Sequence, residues 1–466
     1  MKILQSVWTT IVDTFHEISM HGFIFLVKRG TNIIERLVWL SCICVGIYGI
    51  VSLGGDTWNR YQTNPTVISM DRNKFSWNTS FPSLTVCPEK RLDEFKVTDY
   101  IKANPTMFPN ESVAVKAREF LKRLSTISYE TMVDFPVDYD PGISPESYLE
   151  LMNDLKWEFT PEISSGTSNK LIMSRDLLSF LFTAVNSKVA YYNTFEYWKR
   201  NRWDLVKPNI TVVVHPFDGE IYAQLTNIST SYVVFYHGAM ESPDISKQKY
   251  NFPETDYTTV EFLALEILTS DEAKSLKPSQ RKCRLEHEAE PLIFSSVYSY
   301  NICRSQCRFR IALRDCGCIP YFYRSIGKNG KKYPICGPQG MQCLGKMKDE
   351  LISLKSKTRT IECDCMANCD NTNFFVQSIV RLIKRSRIWF LGANFQWGII
   401  DYPRIQLKRE LLFGISDVLV YVGGLGGLFL GCSLLGFTEL IFFFTWGIIK
   451  NMIKHFKKSS LIDMKP

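Results

Sequence analysis

Six glycines fall within fifteen residues near the C-terminal end: Gly423, Gly424, Gly426, Gly427, Gly431 and Gly436. They sit inside residues 418–449, a run whose single charge is Glu439. Glycine weakens a helix by about 1 kcal/mol each in water, so a simple anchor has no use for so many. Gly423, Gly427 and Gly431 recur every four residues and form one small face for close helix approach. The sharper reading is a helix that opens at Gly431-Cys432-Ser433. Non-helical backbone at membrane depth is tolerated only against protein or water, and there its carbonyls can coordinate a dehydrated cation. Glu439 favours this reading. It lies eleven residues before Lys450, about 16 Å deep if helical, and an acid at that depth marks an ion path by default. A structural carboxylate paired with a neighbouring subunit is the alternative.

The second chemical signal is cysteine. Of fourteen, Cys42 and Cys44 lie in an apolar run near the N-terminus and Cys432 in the glycine-rich run. Cys87 stands alone, and ten fall between 283 and 369. Cys303 and Cys307 share a face if helical, with a rise of about 6 Å. Cys363 and Cys365 share a face if extended, with a rise of about 6.6 Å. A helix antiparallel to an extended strand would then pair Cys303 with Cys365 and Cys307 with Cys363. Cys283 with Cys369 would close outside them, with Cys316, Cys318, Cys336 and Cys343 inside. Zinc fits Cys363-x-Cys365-x3-Cys369 poorly, because the paired C-x2-C form is missing.

These groups need a membrane and an oxidising exterior to hold them. Residues 37–55 carry no charge between Arg36 and Asp56, close to the ~20 residues a spanning helix needs. Lys28, Arg29 and Arg36 precede this run, and Lys450, Lys454, Lys457 and Lys458 follow the other. Basic residues at both outer ends predict two cytoplasmic termini. The basic tail can also meet anionic lipid. The region between would lie outside, where disulfides are the default. Four N-x-S/T sequons, at Asn78, Asn110, Asn209 and Asn227, all fall in it. Residues 1–20 lack the apolar core of a cleavable signal peptide, so the first run is expected to stay as a signal anchor. The expected order is a cytoplasmic segment 1–36, a span 37–55, an extracellular α+β domain 56–412 with a cysteine-rich part 283–369, a pre-pore segment and second span 413–449, and a basic cytoplasmic tail 450–466.

With these residues in view, the chain resembles the degenerin/epithelial sodium channel family, in its insect pickpocket-like branch. His21-Gly22 is similar to the family's His-Gly gating motif. Phe81-Pro82 through Cys87 resembles its post-span F-P-x-x-T-x-C. Tyr298 through Cys303, Cys307, Cys316 and Cys318-Ile-Pro320 resembles its cysteine-rich signature. Gly423-Gly424, Gly427, Gly431-Cys432-Ser433 and Glu439 resemble its second span with the G-x-S filter tract. The resemblance implies a trimeric, two-span, palm, thumb and finger channel in the plasma membrane. It implies sodium permeation, amiloride block, no cofactor, and homo- or heterotrimeric assembly with related subunits. It also implies the pairs Cys283–Cys369, Cys303–Cys365, Cys307–Cys363, Cys316–Cys343 and Cys318–Cys336, with the cysteine-rich stretch 283–369 as the thumb.

Three departures stand out. Cys87, bridged in the family, has no cysteine between it and Cys283 to pair with. The stretch after Cys343 carries Lys346, Lys348, Lys355 and Lys357 against Asp349 and Glu350, which does not support proton gating. Val420 falls where degenerins need a small residue to close, so the gate is expected to favour the open state. Asp134, Asp138 and Asp140 read as a solvated loop. The charge of +8 and pI of 8.7 are too mild for a nucleic-acid partner. Six histidines, with no G-x-S-x-G or H-E-x-x-H, leave nothing that points to an enzyme. The expectation is a non-voltage-gated, sodium-permeable sensory channel subunit opened by an unidentified extracellular chemical or mechanical stimulus. The alternative is a non-conducting or regulatory subunit that acts only within a heteromer.

Overall fold

The computed structural model describes residues 22–28, 30–158, 162–167, 171–172, 182–184, 213–238, 241, 246, 249–356, 360–383, 393–431, 433–442 and 445–446. His21, Cys432, Asn209 and the tail 450–466 lie outside them, as does the side chain of Asn227. The chain divides into two units. One comprises 1–67, 275–281 and 410–466; the other comprises 68–274 and 282–409.

The larger unit is built on a sheet of eight strands. They are β1 (Thr66–Asp71), β2 (Glu162–Thr167), β3 (Leu171–Ile172), β4 (Ile221–Ile228), β5 (Asp256–Thr269), β6 (Asn371–Ile383), β7 (Ala393–Ile399) and β8 (Gln406–Leu411). The order is β1-β8-β5-β7-β4-β2-β3, with β6 also paired to β5. β5 is the spine. β6 runs antiparallel along one edge. β7 runs parallel beside Tyr257–Phe262, and β8 parallel beside Ile267–Thr269. β5 is rich in β-branched and aromatic residues, which fit a half-buried pleat. Its even-numbered positions Thr258, Val260, Phe262, Ala264 and Glu266 are buried. Val260, Phe262 and Ala264 share a core with Phe395 and Trp397 of β7 and with Leu84, Val86, Tyr232 and Val234 of a smaller four-stranded sheet. Trp397 Nε1 donates to Pro82 O at 3.0 Å, which satisfies the indole inside this core.

Glu266 places a carboxylate on this inner face. It is 4% exposed. Its Oε1 accepts from Ser80 N at 2.6 Å and from Thr372 Oγ1 at 3.2 Å. Its Oε2 accepts from Gln406 Nε2 at 3.1 Å. One carboxylate thus ties β5 to β6, to β8 and to the strand Thr79–Ser80. Glu266→Ala leaves three donors facing a void, at about 1–3 kcal/mol for each donor so buried. Thermal unfolding of the purified variant is expected about 5 °C or more below that of the native chain; an unchanged midpoint would refute the hub.

A second core is helical. Helices Glu94–Ala103 and Glu111–Ser125 pack against Tyr300–Cys316, Pro338–Lys346 and Lys348–Ser353. Asp93 caps the first, its Oδ1 accepting from Phe95 N at 2.9 Å. Helix Glu111–Ser125 buries Ala114, Ala117, Phe120, Leu121 and Leu124, the three- and four-residue spacing of one helical face. The exposed sequon residue Asn110 precedes it and makes no side-chain capping bond.

The ten clustered cysteines come together as Cys283–Cys369, Cys303–Cys365, Cys307–Cys363, Cys316–Cys343 and Cys318–Cys336. Helix Tyr300–Cys316 offers Cys303 and Cys307 to Cys365 and Cys363, at Cα separations of 5.7 and 5.5 Å. Beyond it, Cys283 pairs in register with Ala367, which brings Cys369 to Cys283. Gly317, at φ +69°, ends the helix and turns the chain toward the two inner bridges. Cys87 lies half-buried on strand Ser83–Pro88, opposite Val233, and belongs to none of the five bridges.

Candidate ion-conduction segment

The smaller unit holds the apolar segments. Helix Ile33–Thr63 is 31 residues long and apolar enough to cross a membrane. It runs past both ends of the uncharged stretch 37–55. Charge marks where apolar residues stop, whereas this helix continues through Asp56–Thr63 with its backbone bonds intact. Gln280 Nε2, from the segment 275–281, donates to Tyr61 O at 3.4 Å. Leu412 N and Phe413 N both donate to Pro65 O, at 2.9 and 3.1 Å. The end of this helix and the approach to the C-terminal helix are therefore tied to each other within this unit.

Ahead of the helix, Gly22 sits at φ +89°, a conformation glycine adopts without steric cost. Phe25 stacks on Trp39 at 4.5 Å. The short helix Phe23–Val27 thus folds back onto the beginning of the long one. His21, the other half of the pair, is outside the described residues.

Helix Ile415–Leu430 starts at Gly414, whose amide donates to Asp417 Oδ2 at 2.7 Å. It ends at Gly431, which is left-handed at φ +60°, ψ +22°. Helix Leu434–Phe442 then begins. Ser433 caps it: its Oγ accepts from Gly436 N at 3.1 Å, the bond a serine N-cap makes to the third helical amide. The break is thus built on both sides, by a glycine C-cap and a serine N-cap. A helix end leaves its last carbonyls without helical partners and carries partial negative charge. Those carbonyls belong to the turn just before Gly431. Cys432, between the caps, is outside the described residues.

The two apolar helices touch through small residues of the first. A Cβ on Gly46 would lie 3.3 Å from Phe429 O and from Leu430 Cδ2; one on Gly49 would lie 3.0 Å from Phe429 Cζ. Phe429 therefore seats in a notch on the first helix, two residues before the break. Around Gly423 and Gly424 nothing approaches within 4 Å, and Gly427 is exposed. Of the face expected to take a neighbouring helix, Gly423 and Gly427 are left open by the chain's own first helix, whereas Gly431 stands past the end of helix Ile415–Leu430 as its left-handed cap. Val420 is 76% exposed on the same helix, and Glu439 is exposed on the second half. Among the described residues no cluster of histidine, cysteine and carboxylate is arranged to hold a metal.

Sequence reading overlooked two parts of this arrangement. Gly46 and Gly49 lie three apart, a small-residue signal in the first apolar run. Ser433 followed three residues later by Gly436 is an N-cap pattern hidden by the surrounding apolar letters.

Comparison with known proteins gives the family of the chain. The model of the family described as amiloride-sensitive sodium channel matches residues 14–443. Pickpocket protein 28 of Drosophila melanogaster is 23% identical over 491 residues, covering 92% of this chain and 77% of that protein. Sodium channel protein Nach of the same organism is 21% identical over 506 residues, covering 99% and 91%. Acid-sensing ion channel 4-B of Danio rerio is 27% identical over a shorter stretch of 188 residues, 36% of this chain and 31% of its own length. A match over most of its length, together with the five-bridge domain and the apolar helices, makes this chain a member of the amiloride-sensitive sodium channel family, the degenerin/epithelial sodium channel family.

Proposed function

We propose that the chain is a subunit of a sodium-permeable, amiloride-sensitive cation channel, not gated by voltage, in the plasma membrane. Helices Ile415–Leu430 and Leu434–Phe442 together form the second span, with both termini cytoplasmic. Three copies, or copies mixed with related subunits, surround the pore through the open face of Gly423, Gly424 and Gly427. The observation that carries this reading is the doubly capped break at Gly431 and Ser433. It aims the carbonyl end of one half-helix at a point within the membrane, where a dehydrated cation is stabilised by oxygen ligands and a negative dipole end. Phe429, seated against Gly46 and Gly49, fixes where that end lies. Val420 is placed one turn before the glycine pair, where its bulk favours an open gate. The stimulus is extracellular, chemical or mechanical, and the setting sensory. It acts through the disulfide-stiffened domain, whose strands β1 and β8 lead directly into the two spans. Lys408 Nζ meets Asp71 Oδ2 at 2.7 Å between these strands, and that bond holds the Asp71 carboxyl below the usual range.

The test is whole-cell current with external sodium replaced by a large organic cation, for the native chain and for Ser433→Val. Valine removes the cap and narrows the path. Sodium-carried, amiloride-blocked current in the native chain and its loss in the variant, at equal surface amounts, is the expected outcome. Equal currents from the two would move the filter elsewhere.

A further inference from the structure

The outer face of the main sheet holds an apolar hollow that ion conduction does not explain. Along β5 the residues opposite the core are polar at Thr259 and Glu261, where Glu261 Oε2 accepts from Ser378 Oγ at 2.6 Å. A solvent-facing side of an antiparallel pair is expected to stay polar. It turns apolar at Leu263, which pairs in register with Phe375 of β6. Leu263 is 37% exposed and Phe375 53%. With Phe75 and Ile405 they line a cavity of about 540 Å³, inside the range of small-molecule sites.

Three charged side chains border it: Lys74, Arg404 and Asp401. Asp401 Oδ2 already accepts from Gln377 Nε2 at 3.5 Å. Lys74 Nζ lies over the Phe75 ring at 5.1 Å. Neither Lys74 nor Arg404 has a carboxylate partner among the described residues. Two unpaired cations against one engaged carboxylate leave the rim positive. A concave hollow bordered by charge suits a small amphiphile, whereas a flat apolar face would suit a second copy of the chain. We propose that this cavity binds an amphipathic monocarboxylate, its aryl or alkyl body against Phe75 and Phe375 and its carboxylate on Lys74 and Arg404. Residues 400–405 form one wall and run straight into β8. An occupant therefore bears on the strand that leads to the C-terminal helix. As a stimulus, this deepens the channel reading and rests on it; binding itself does not.

Isothermal titration of the full chain in lipid nanodiscs, against empty nanodiscs, tests the site. The probe is 4-phenylbutyrate, with 4-phenylbutylamine as the same skeleton carrying the opposite charge. Saturable binding of the carboxylate is expected, with the amine about tenfold weaker or worse. Removing both cations, Lys74→Ala with Arg404→Ala, is expected to weaken the carboxylate about tenfold, and Lys74→Ala with Arg404→Lys to recover part of it. Leu263→Trp fills the hollow and should abolish binding with the thermal midpoint unchanged. Equal binding of the amine, indifference to losing both cations, or no saturable binding in a folded sample overturns the proposal; the last is the result if a second copy covers this face. The titration is repeated on Ser433→Val. Binding kept there, with no sodium-carried current from the native chain either alone or co-expressed with a related subunit, would sink the channel reading and leave the site standing.

Discussion

Gly431→Val is expected to silence the pore while the protein still reaches the surface. Gly431 holds φ +60° at the C-cap of helix Ile415–Leu430. An L residue in that conformation costs about 1–2 kcal/mol, roughly tenfold in the population of the broken helix, and a β-branched residue is the worst case. The carbonyl end would then be drawn into a continuous helix and lose its free oxygens. Asparagine tolerates the left-handed region better, so Gly431→Asn should keep more current than Gly431→Ala, and that more than Gly431→Val. Current per surface channel, read by patch clamp with surface labelling, checks the order. Equal currents across the series would show that the break is not what conducts.

Gly345→Val should fail one step earlier, at folding. A Cβ on Gly345 would lie 2.2 Å from Val133 N and 2.5 Å from Val133 Cα. The glycine belongs to helix Pro338–Lys346, and the facing backbone to the turn Met132–Asp134. Neither side is a flexible side-chain end that could swing away. Helix and turn must separate, at a cost above about 4 kcal/mol. We expect the variant to be retained inside the cell, with loss of surface biotinylation. Gly55→Ala is the control, since nothing lies within 4 Å of that position. Normal surface delivery of Gly345→Val would mean that the helix–turn contact is dispensable.

The readable parts of this chain are those governed by local arithmetic. The four-residue step of Cys303 and Cys307 and the two-residue step of Cys363 and Cys365 have nearly equal rises, which suffices to align a helix with a strand. The glycine density after Val422 flags an interrupted helix, because no other residue weakens a helix so much without proline. Long-range packing was hidden. β5 finds parallel neighbours more than a hundred residues away, at Ala393–Ile399 and Gln406–Leu411, and no periodicity names a partner strand. Glu266 looks like an outward charge, because only its three donors, brought from distant segments, make burial tolerable. Gly345 carries no signal at all: its need is set by the backbone of Val133. Ser433 was legible as a polar interruption, whereas its capping bond depends on where the second half-helix restarts.

The central claim is that this chain builds a cation path through the break at Gly431 and Ser433. Reconstitution of purified protein in a planar bilayer under a tenfold sodium chloride gradient tests it most directly. A cation-selective pore predicts a reversal potential approaching the sodium limit of about 59 mV per tenfold, with sodium's sign, and its collapse in Gly431→Val. A reversal near zero, or one with the sign of chloride, would contradict the account.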